Sequence, residues 1–266
     1  MDIAGKTFVV TGAGNGIGRQ VTLRLLSQGA QVAGVDLNEA GLAETARLAV
    51  ASERFSSHLL DITDRAAVAA LPEVVAAAHG AVDGLVNVAG VIQKFVRVAD
   101  LDFAEIEKVM SVNFWGTMNT VKAFLPVLTA RPAASLVNVA SMGSYAPVPG
   151  QAVYGASKAA VKVLTEALYA ELRNTGVAVT VIFPGAIGTD IAANSGVGLA
   201  GGAVTEAPAY KTTSPEEAAR VIVRAIEKGS YRATIGSDAA AMDRLSRLSP
   251  RTATTLIAKQ MGDLLG

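Results

Sequence analysis

The chain has 266 residues, 51% of them hydrophobic and 17% charged, so it carries enough apolar side chain for a large core. Its formal net charge is zero, which speaks against a polyanion partner such as nucleic acid, and it has no cysteine, which excludes disulfides and thiolate-bound metal. The two histidines, His58 and His79, stand apart with no metal-ligand spacing and read as structural.

A β-type run over 7–11 leads into Gly12-Ala13-Gly14-Asn15-Gly16-Ile17-Gly18 and a helical pattern that closes at Gly29. The early start of this strand leaves no room for a leader, and the expected compartment is the cytoplasm. A second strand over 31–35 stops at Asp36, and the alternation continues with helix 39–51, strand 57–60, helix 64–79 and strand 84–88. Asp102, with Glu105 three residues on, reads as a capping box that opens a long helix through Asn113 towards Thr129. Strand 136–140, helix 151–174 and strand 177–183 follow. Ser214-Pro215-Glu216-Glu217 starts a helix to Lys228, with Ser at the N-cap and Pro at N1, and 231–235 makes a last strand. Strands alternating with helices predict an α/β fold with a parallel sheet covered on both faces. No linker divides the chain, so residues 1–266 read as a single domain. The uncharged stretch 132–157 is too rich in Gly, Pro, Ser and Asn for a membrane span.

Two segments break the alternation. Residues 187–211 are rich in Gly and Ala without a clean period, as expected of a substrate loop. The tail over 238–266 carries Met242, Leu245, Leu248, Leu256, Ile257, Met261 and Leu264 between arginines, the pattern of one or two amphipathic helices. It is expected to pack on the domain or a neighbouring subunit; a substrate cover or a membrane-surface contact are the alternatives.

Two motifs carry chemistry. Glycines between a strand and a helix allow a tight turn and let backbone N–H groups approach a pyrophosphate at the helix N-terminus. Asp36, eighteen residues after Gly18, can bind both ribose hydroxyls of NAD and would repel a 2′-phosphate, so NAD is favoured over NADP. Downstream, Tyr154 and Lys158 are one helical turn apart, and Ser141 precedes them at the end of a strand. An ammonium beside a phenol favours phenolate, so Lys158 is expected to lower the tyrosine pKa and make an acid/base pair.

Thr11-Gly12-x3-Gly16-x-Gly18, Asn87-Val88-Ala89-Gly90, Asn113, Ser141, Tyr154-x3-Lys158 and Pro184-Gly185 occur in this order, and the set resembles the short-chain dehydrogenase/reductase family from Lys6 to about Ile235. The compact oxidoreductase branch is the closer likeness. The resemblance implies a Rossmann-type doubly wound sheet of about seven parallel strands with helices on both faces. It implies catalysis by Asn113, Ser141, Tyr154 and Lys158, with Asn113 holding a water that links Lys158 to solvent. Gly12, Asn15, Gly16, Ile17 and Gly18 would hold the pyrophosphate end of the cofactor. Asp36 and Leu37 would hold the ribose, and Asp61 and Ile62 the adenine. Asn87, Ala89 and Gly90 would line the cofactor at the fourth strand, beside Tyr154 and Lys158. Pro184, Gly185, Ile187 and Thr189 would hold the nicotinamide end. The family usually has a second Asn where Val88 stands; side-chain alternation should turn Val88 away from Asn87 and leave Asn87 at the cofactor.

The function expected is NAD-dependent interconversion of a hydrophobic secondary alcohol, cyclic or steroid-like, and its ketone. Ser141, Met142, Tyr145, Val148 and Tyr154 are the candidate substrate residues, and no metal is implied. A 3-oxoacyl-thioester reductase of the same family is the alternative within enzymes; a catalytically silent NAD-sensing scaffold is the alternative outside them. Small residues on the Tyr/Lys helix (Ala152, Ala156, Ala159, Ala160) permit close helix packing, and the family implies a homotetramer or homodimer.

Overall fold

A computed structural model of the chain describes residues 1–50, 52–189, 191–197 and 212–261. Its centre is a seven-stranded sheet in the order β3-β2-β1-β4-β5-β6-β7. The strands are β1 (Thr7–Thr11), β2 (Gln31–Asp36), β3 (Phe55–Leu59), β4 (Gly84–Asn87), β5 (Ala134–Val139), β6 (Val177–Pro184) and β7 (Arg232–Ile235). Every neighbouring pair is parallel. The order reverses between β1 and β4, where the crossovers leave in opposite directions and open a crevice at the carboxyl ends.

Helices cover both faces because the strands are apolar on both. Phe8, Val10, Val32, Val86, Val137, Ile182 and Ile235 pack against α1 (Gly16–Ser27), α2 (Glu39–Leu48) and α8 (Pro215–Lys228). The alternate residues Val9, Ala33, Val35, Leu85, Leu136 and Val179 face α3 (Arg65–His79), α5 (Thr117–Thr129) and α6 (Ala152–Glu171). The parallel α/β architecture read from the sequence is the one found. Helix α8 begins as its sequence predicts, with Ser214 Oγ accepting from Glu217 N at 3.2 Å and Pro215 in the first turn.

The long helix expected over 102–129 is three pieces. α4 (Phe103–Met110) passes into a π-helical turn over Ser111–Gly116, which carries Asn113, before α5 resumes. The capping box does not form: the Asp102 side chain makes no cap bond, and Glu105 Oε1 accepts from Lys94 N at 2.7 Å instead. A partner in the neighbouring loop has outcompeted the local one.

The tail forms α9 (Ser237–Leu248) and α10 (Pro250–Met261), amphipathic as expected and packed on the rest of the chain. Leu264 lies outside the described residues. Among those residues no helix is long and apolar enough to cross a membrane.

The two histidines meet. Ser56 Oγ lies 2.8 Å from His58 Nε2 and 2.7 Å from His79 Nε2, and His79 Nδ1 is 2.9 Å from Gln31 Oε1. Burial lowers the pKa of both rings, and the neighbouring His79 lowers His58 further. As pH falls, the unfolded chain therefore takes up protons before the folded one. Stability should be full above about pH 6.5, the ordinary imidazole value, and decline below it towards the lowered folded-state values. Thermal melts from pH 8 to pH 5 check this, and His58→Gln should make the acid decline shallower. An unchanged decline would remove the cluster as its source.

Candidate active site

At the end of β1 the chain turns through Gly12 (φ +71°) and Gly16 (φ +49°), a backbone region that side chains disfavour. A Cβ on Gly18 would run into the Gly12 carbonyl oxygen, and one on Gly12 would come within 3.0 Å of the Ala89 backbone. Asn15 caps α1, its Oδ1 accepting from Gly16 N at 2.6 Å. The free N–H groups of the first turn thus open onto the crevice.

Asp36, at the end of β2, holds this turn in place. Its Oδ2 accepts from Gly14 N at 2.8 Å and its Oδ1 from Asn38 N at 2.9 Å. Arg19 closes the other side, donating to Gly14 O, to Gly41 O at 3.3 Å and to Thr45 Oγ1 at 3.1 Å. The glycine spacing did not single out Arg19; its position directly after Gly18, with no acid on α1, is the only sequence signal. Its guanidinium is committed to the protein.

The crevice is about 360 Å³ in volume. Of the expected cofactor residues, Gly12, Asn15, Gly16, Ile17, Gly18, Asp36, Leu37, Asp61, Ile62, Ala89, Gly90 and Thr189 line it. Val35, Asn38, Leu60, Val88, Val91, Val112, Ile191 and Asn194 line it as well and were not expected as cofactor residues. Six of the eight are apolar, and Val35, Leu60 and Val88 stand at or beside strand ends, so they look like core residues in a sequence.

Next to the crevice, Ser141 follows β5, with its Oγ accepting from Gly143 N at 3.0 Å. Tyr154 lies in the first turn of α6, and a Cβ on Gly143 would touch both Ser141 Oγ at 3.5 Å and the Tyr154 ring at 3.7 Å. Burial raises the tyrosine pKa above its ordinary value, and the neighbouring Ser141 hydroxyl only partly offsets this. Lys158 is 4% exposed and donates from Nζ to Val139 O at 3.0 Å; burial lowers its pKa to about 8. A Cβ on Gly90 would lie 3.1 Å from both Lys158 Nζ and Asn113 Oδ1, so the absence of a side chain there brings the two groups against the cofactor wall. Ser141, Tyr154, Lys158 and Asn113, scattered over 46 positions of sequence, thus gather at the carboxyl ends of β4 and β5.

The family model for the short chain dehydrogenases matches residues 6–198. The chain is a short-chain dehydrogenase. Curated and solved relatives agree. The "Putative oxidoreductase SadH" of Mycobacterium tuberculosis is 38% identical over 261 residues, 96% of this chain and 94% of that one. A short chain dehydrogenase/reductase from Burkholderia phymatum, solved in complex with NAD, superposes with a TM-score of 0.83 at 28% identity over 92% of this chain and 94% of that one. Levodione reductase superposes with a TM-score of 0.81 at 26% identity, covering 90% and 99% of the two chains.

As a short-chain dehydrogenase the protein is an NAD(P)-linked oxidoreductase. The crevice fits such a group: a cradle that a Cβ at Gly12 or Gly18 would fill, a helix N-terminus above it and a carboxylate at the end of β2.

Several positions in this dehydrogenase differ from expectation. Asn87 does not line the crevice. It is 4% exposed, donating from Nδ2 to Asn138 Oδ1 at 2.9 Å and accepting at Oδ1 from Thr120 Oγ1 at 2.8 Å. Alternation along the strand does separate Asn87 from Val88, but it is Val88 that takes the crevice side. Pro184, Gly185 and Ile187 also stand outside the crevice walls. Gly185 packs on the Asp238 carboxylate, which accepts from Ala186 N at 2.8 Å, and Ile187 bridges to Thr213.

The Asn113 side chain is nearly fully engaged. Its Oδ1 accepts from Val91 N at 2.8 Å, and its Nδ2 donates to Val91 O and to Ser157 Oγ, both at 2.9 Å. A water on this side chain has only the second lone pair of Oδ1 to use. The expected lowering of Tyr154 by Lys158 is not found: burial raises the phenol, and the influence that lowers it is Ser141.

Among the candidate substrate residues, Met142, Tyr145 and Val148 pack against Met242, Leu245, Ile257 and Met261 of the tail helices. The Tyr145 hydroxyl donates to Ala239 O at 2.9 Å, and its ring meets Phe183 edge-on at 5.3 Å between centroids. The tail therefore packs on the expected substrate segment. Of the expected loop 187–211, residue 190 and residues 198–211 lie outside the described residues. The described part includes α7 (Ile191–Asn194) at the crevice, tethered where Ser195 Oγ accepts from Ile92 N at 3.0 Å and Lys108 Nζ donates to Ser195 O at 3.0 Å.

Proposed function

We propose that this dehydrogenase uses NAD to interconvert a hydrophobic secondary alcohol and its ketone, with Tyr154 as general acid/base. The observation that carries the reading is that Ser141 Oγ and the Tyr154 ring meet over Gly143, beside a glycine-walled crevice whose far end presents Asp36. NAD, when bound, accepts or supplies the hydride at the carbinol carbon.

The chain's own residues handle the proton and the developing charge. In reduction, Tyr154 donates its phenolic proton to the carbonyl oxygen; in oxidation, its phenolate takes the alcohol proton. The burial that raises its pKa keeps it protonated at neutral pH, which suits it to donate. Ser141 donates a hydrogen bond to the same oxygen as negative charge grows there. The Lys158 ammonium, held by Val139 O in a dry setting, supplies positive charge close to the reacting atoms.

The preference for NAD rests on Asp36 and on the commitment of Arg19 to Gly14, Gly41 and Thr45, which leaves that cation engaged elsewhere. The preference for an apolar substrate rests on Val91 at the crevice and on the apolar side chains Met142, Tyr145 and Val148 that follow Ser141 in the chain. The test is a reduced-cofactor absorbance assay, with NAD and with NADP, across linear, cyclic and polycyclic alcohols. NAD should be preferred at least tenfold in kcat/KM, and Asp36→Ala should narrow that ratio or reverse it. The same variant frees two backbone N–H groups, so its NAD KM should also rise. Equal use of the two cofactors by the unaltered protein would sink the Asp36 argument, and turnover restricted to carboxylated or phosphorylated alcohols would sink the apolar one.

A further inference from the structure

We infer that Gln93 is a positioning residue for Tyr154, seating the catalytic helix on the cofactor loop; the inference rests on the acid/base reading of Tyr154. Helix α6 begins at Ala152, and its first-turn N–H groups need acceptors. The residue at its N-cap, Gln151, makes no side-chain cap bond. The acceptor comes from about sixty residues away: Gln93 Oε1 takes Val153 N at 2.8 Å and Tyr154 N at 3.0 Å. Gln93 Nε2 donates to Gly150 O at 2.9 Å, and Gln151 Nε2 returns a bond to Gln93 O at 2.7 Å. Gln93 has no exposed surface at all.

A helix start that needed only stability could be capped locally by Ser, Asp or Asn at residue 151. Here the cap joins two parts of the active site instead. Gln93 stands three residues after Gly90, in a loop whose Val91 is clamped by Asn113 and whose Ile92 N–H holds Ser195. The backbone N–H it captures at Tyr154 belongs to the residue whose phenol must meet the substrate oxygen. Since misplacement of a reacting group by about 1 Å can cost roughly a hundredfold in rate, a tertiary cap on this turn acts on chemistry as well as on folding.

Two substitutions in the full-length protein test this. Gln93→Met keeps the approximate volume and removes every side-chain hydrogen bond. Gln93→Glu keeps an acceptor for the two N–H groups and adds a negative charge beside the turn that carries Tyr154. Each is compared with the unaltered protein in kcat and KM, in NAD binding by equilibrium titration, and in the phenolate absorbance titration of Tyr154. The last is isolated by subtracting Tyr154→Phe and needs neither substrate nor cofactor. Gln93→Met should lower kcat at least tenfold while NAD affinity stays within threefold. Gln93→Glu should retain more kcat than Gln93→Met and move the Tyr154 titration and the alkaline rise of kcat to higher pH.

If both variants only melt at lower temperature, with unaltered kcat and an unaltered tyrosine titration, Gln93 is structural and the inference is overturned. If Gln93→Met fails to fold, Gln93→Glu and its titration shift decide alone. Substantial activity in Tyr154→Phe is a separate result, since it would overturn the acid/base reading and not the contact made by Gln93.

Discussion

Tyr154→Phe should lower kcat by about a thousandfold, the typical range for removing a positioned general acid/base. The ring and the backbone cap remain, so NAD affinity should change little. Losing one partly buried hydroxyl should cost about 1 kcal/mol of stability at most, too little to unfold the protein. The measurement is steady-state turnover in both directions, alongside equilibrium NAD binding and a thermal melt. A variant that bound NAD normally and kept a tenth of the parental kcat would return the proton to another group.

Lys158→Met should separate function from stability in the opposite sense. Turnover should fall at least a hundredfold, because the positive charge beside the reacting atoms is gone. Stability at pH 7 should rise. The pKa falls from the ordinary 10.5 to about 8 because Lys158 is buried, and at pH 7 that corresponds to a cost of about 3 kcal/mol for holding the charged form. Loss of the bond to Val139 O returns about 1 kcal/mol of this, which leaves a net gain on the order of 2 kcal/mol and a few degrees in Tm. The sign follows from proton binding. Between pH 8 and 10.5 the unfolded chain holds the lysine proton more tightly than the folded one, so the parent gains stability as pH rises through that window. The advantage of the methionine variant should therefore be full below pH 8 and shrink above it. Lower stability for Lys158→Met at pH 7 would mean that the lysine contributes more to the fold than its burial costs. A stabilising substitution that ends catalysis is the usual mark of a residue kept for function.

Much of the active site could be read from the sequence where backbone geometry dictates the residue type. Gly12, Gly16 and Gly18 are required by a turn that tolerates no side chain, and Asp36 by its place at a strand end, so a linear pattern exposes them. Tyr154 and Lys158 were legible because the helical period puts them on one face. Asn87 was misplaced because alternation specifies that two neighbours point apart and says nothing of which faces the cofactor. The π-turn around Asn113 has no compositional signature, so the segment reads as uninterrupted helix. Gln93 and Arg19 act through bonds to distant backbone atoms, and Ser56 joins two histidines separated by twenty-one positions; such contacts exist only once the chain has folded.

The π-turn also limits how this enzyme can change in length. The turn's bonds run i to i+5 in place of i to i+4, so Ser111–Gly116 holds one residue more than plain α-helix would need to join the same flanks. The bulge absorbs that residue and the flanks keep their phase: Glu105 grips Lys94 and Lys108 grips Ser195 on one side, and Thr120 meets the Asn87 amide on the other. Losing one residue here would let regular helix bridge the same two flanks, and the cost would fall on the bulge itself, which presents Asn113 to Val91 and Ser157. Across related enzymes the count between α4 and α5 should therefore be this one or one fewer, and the shorter form should go without the Asn113 contacts.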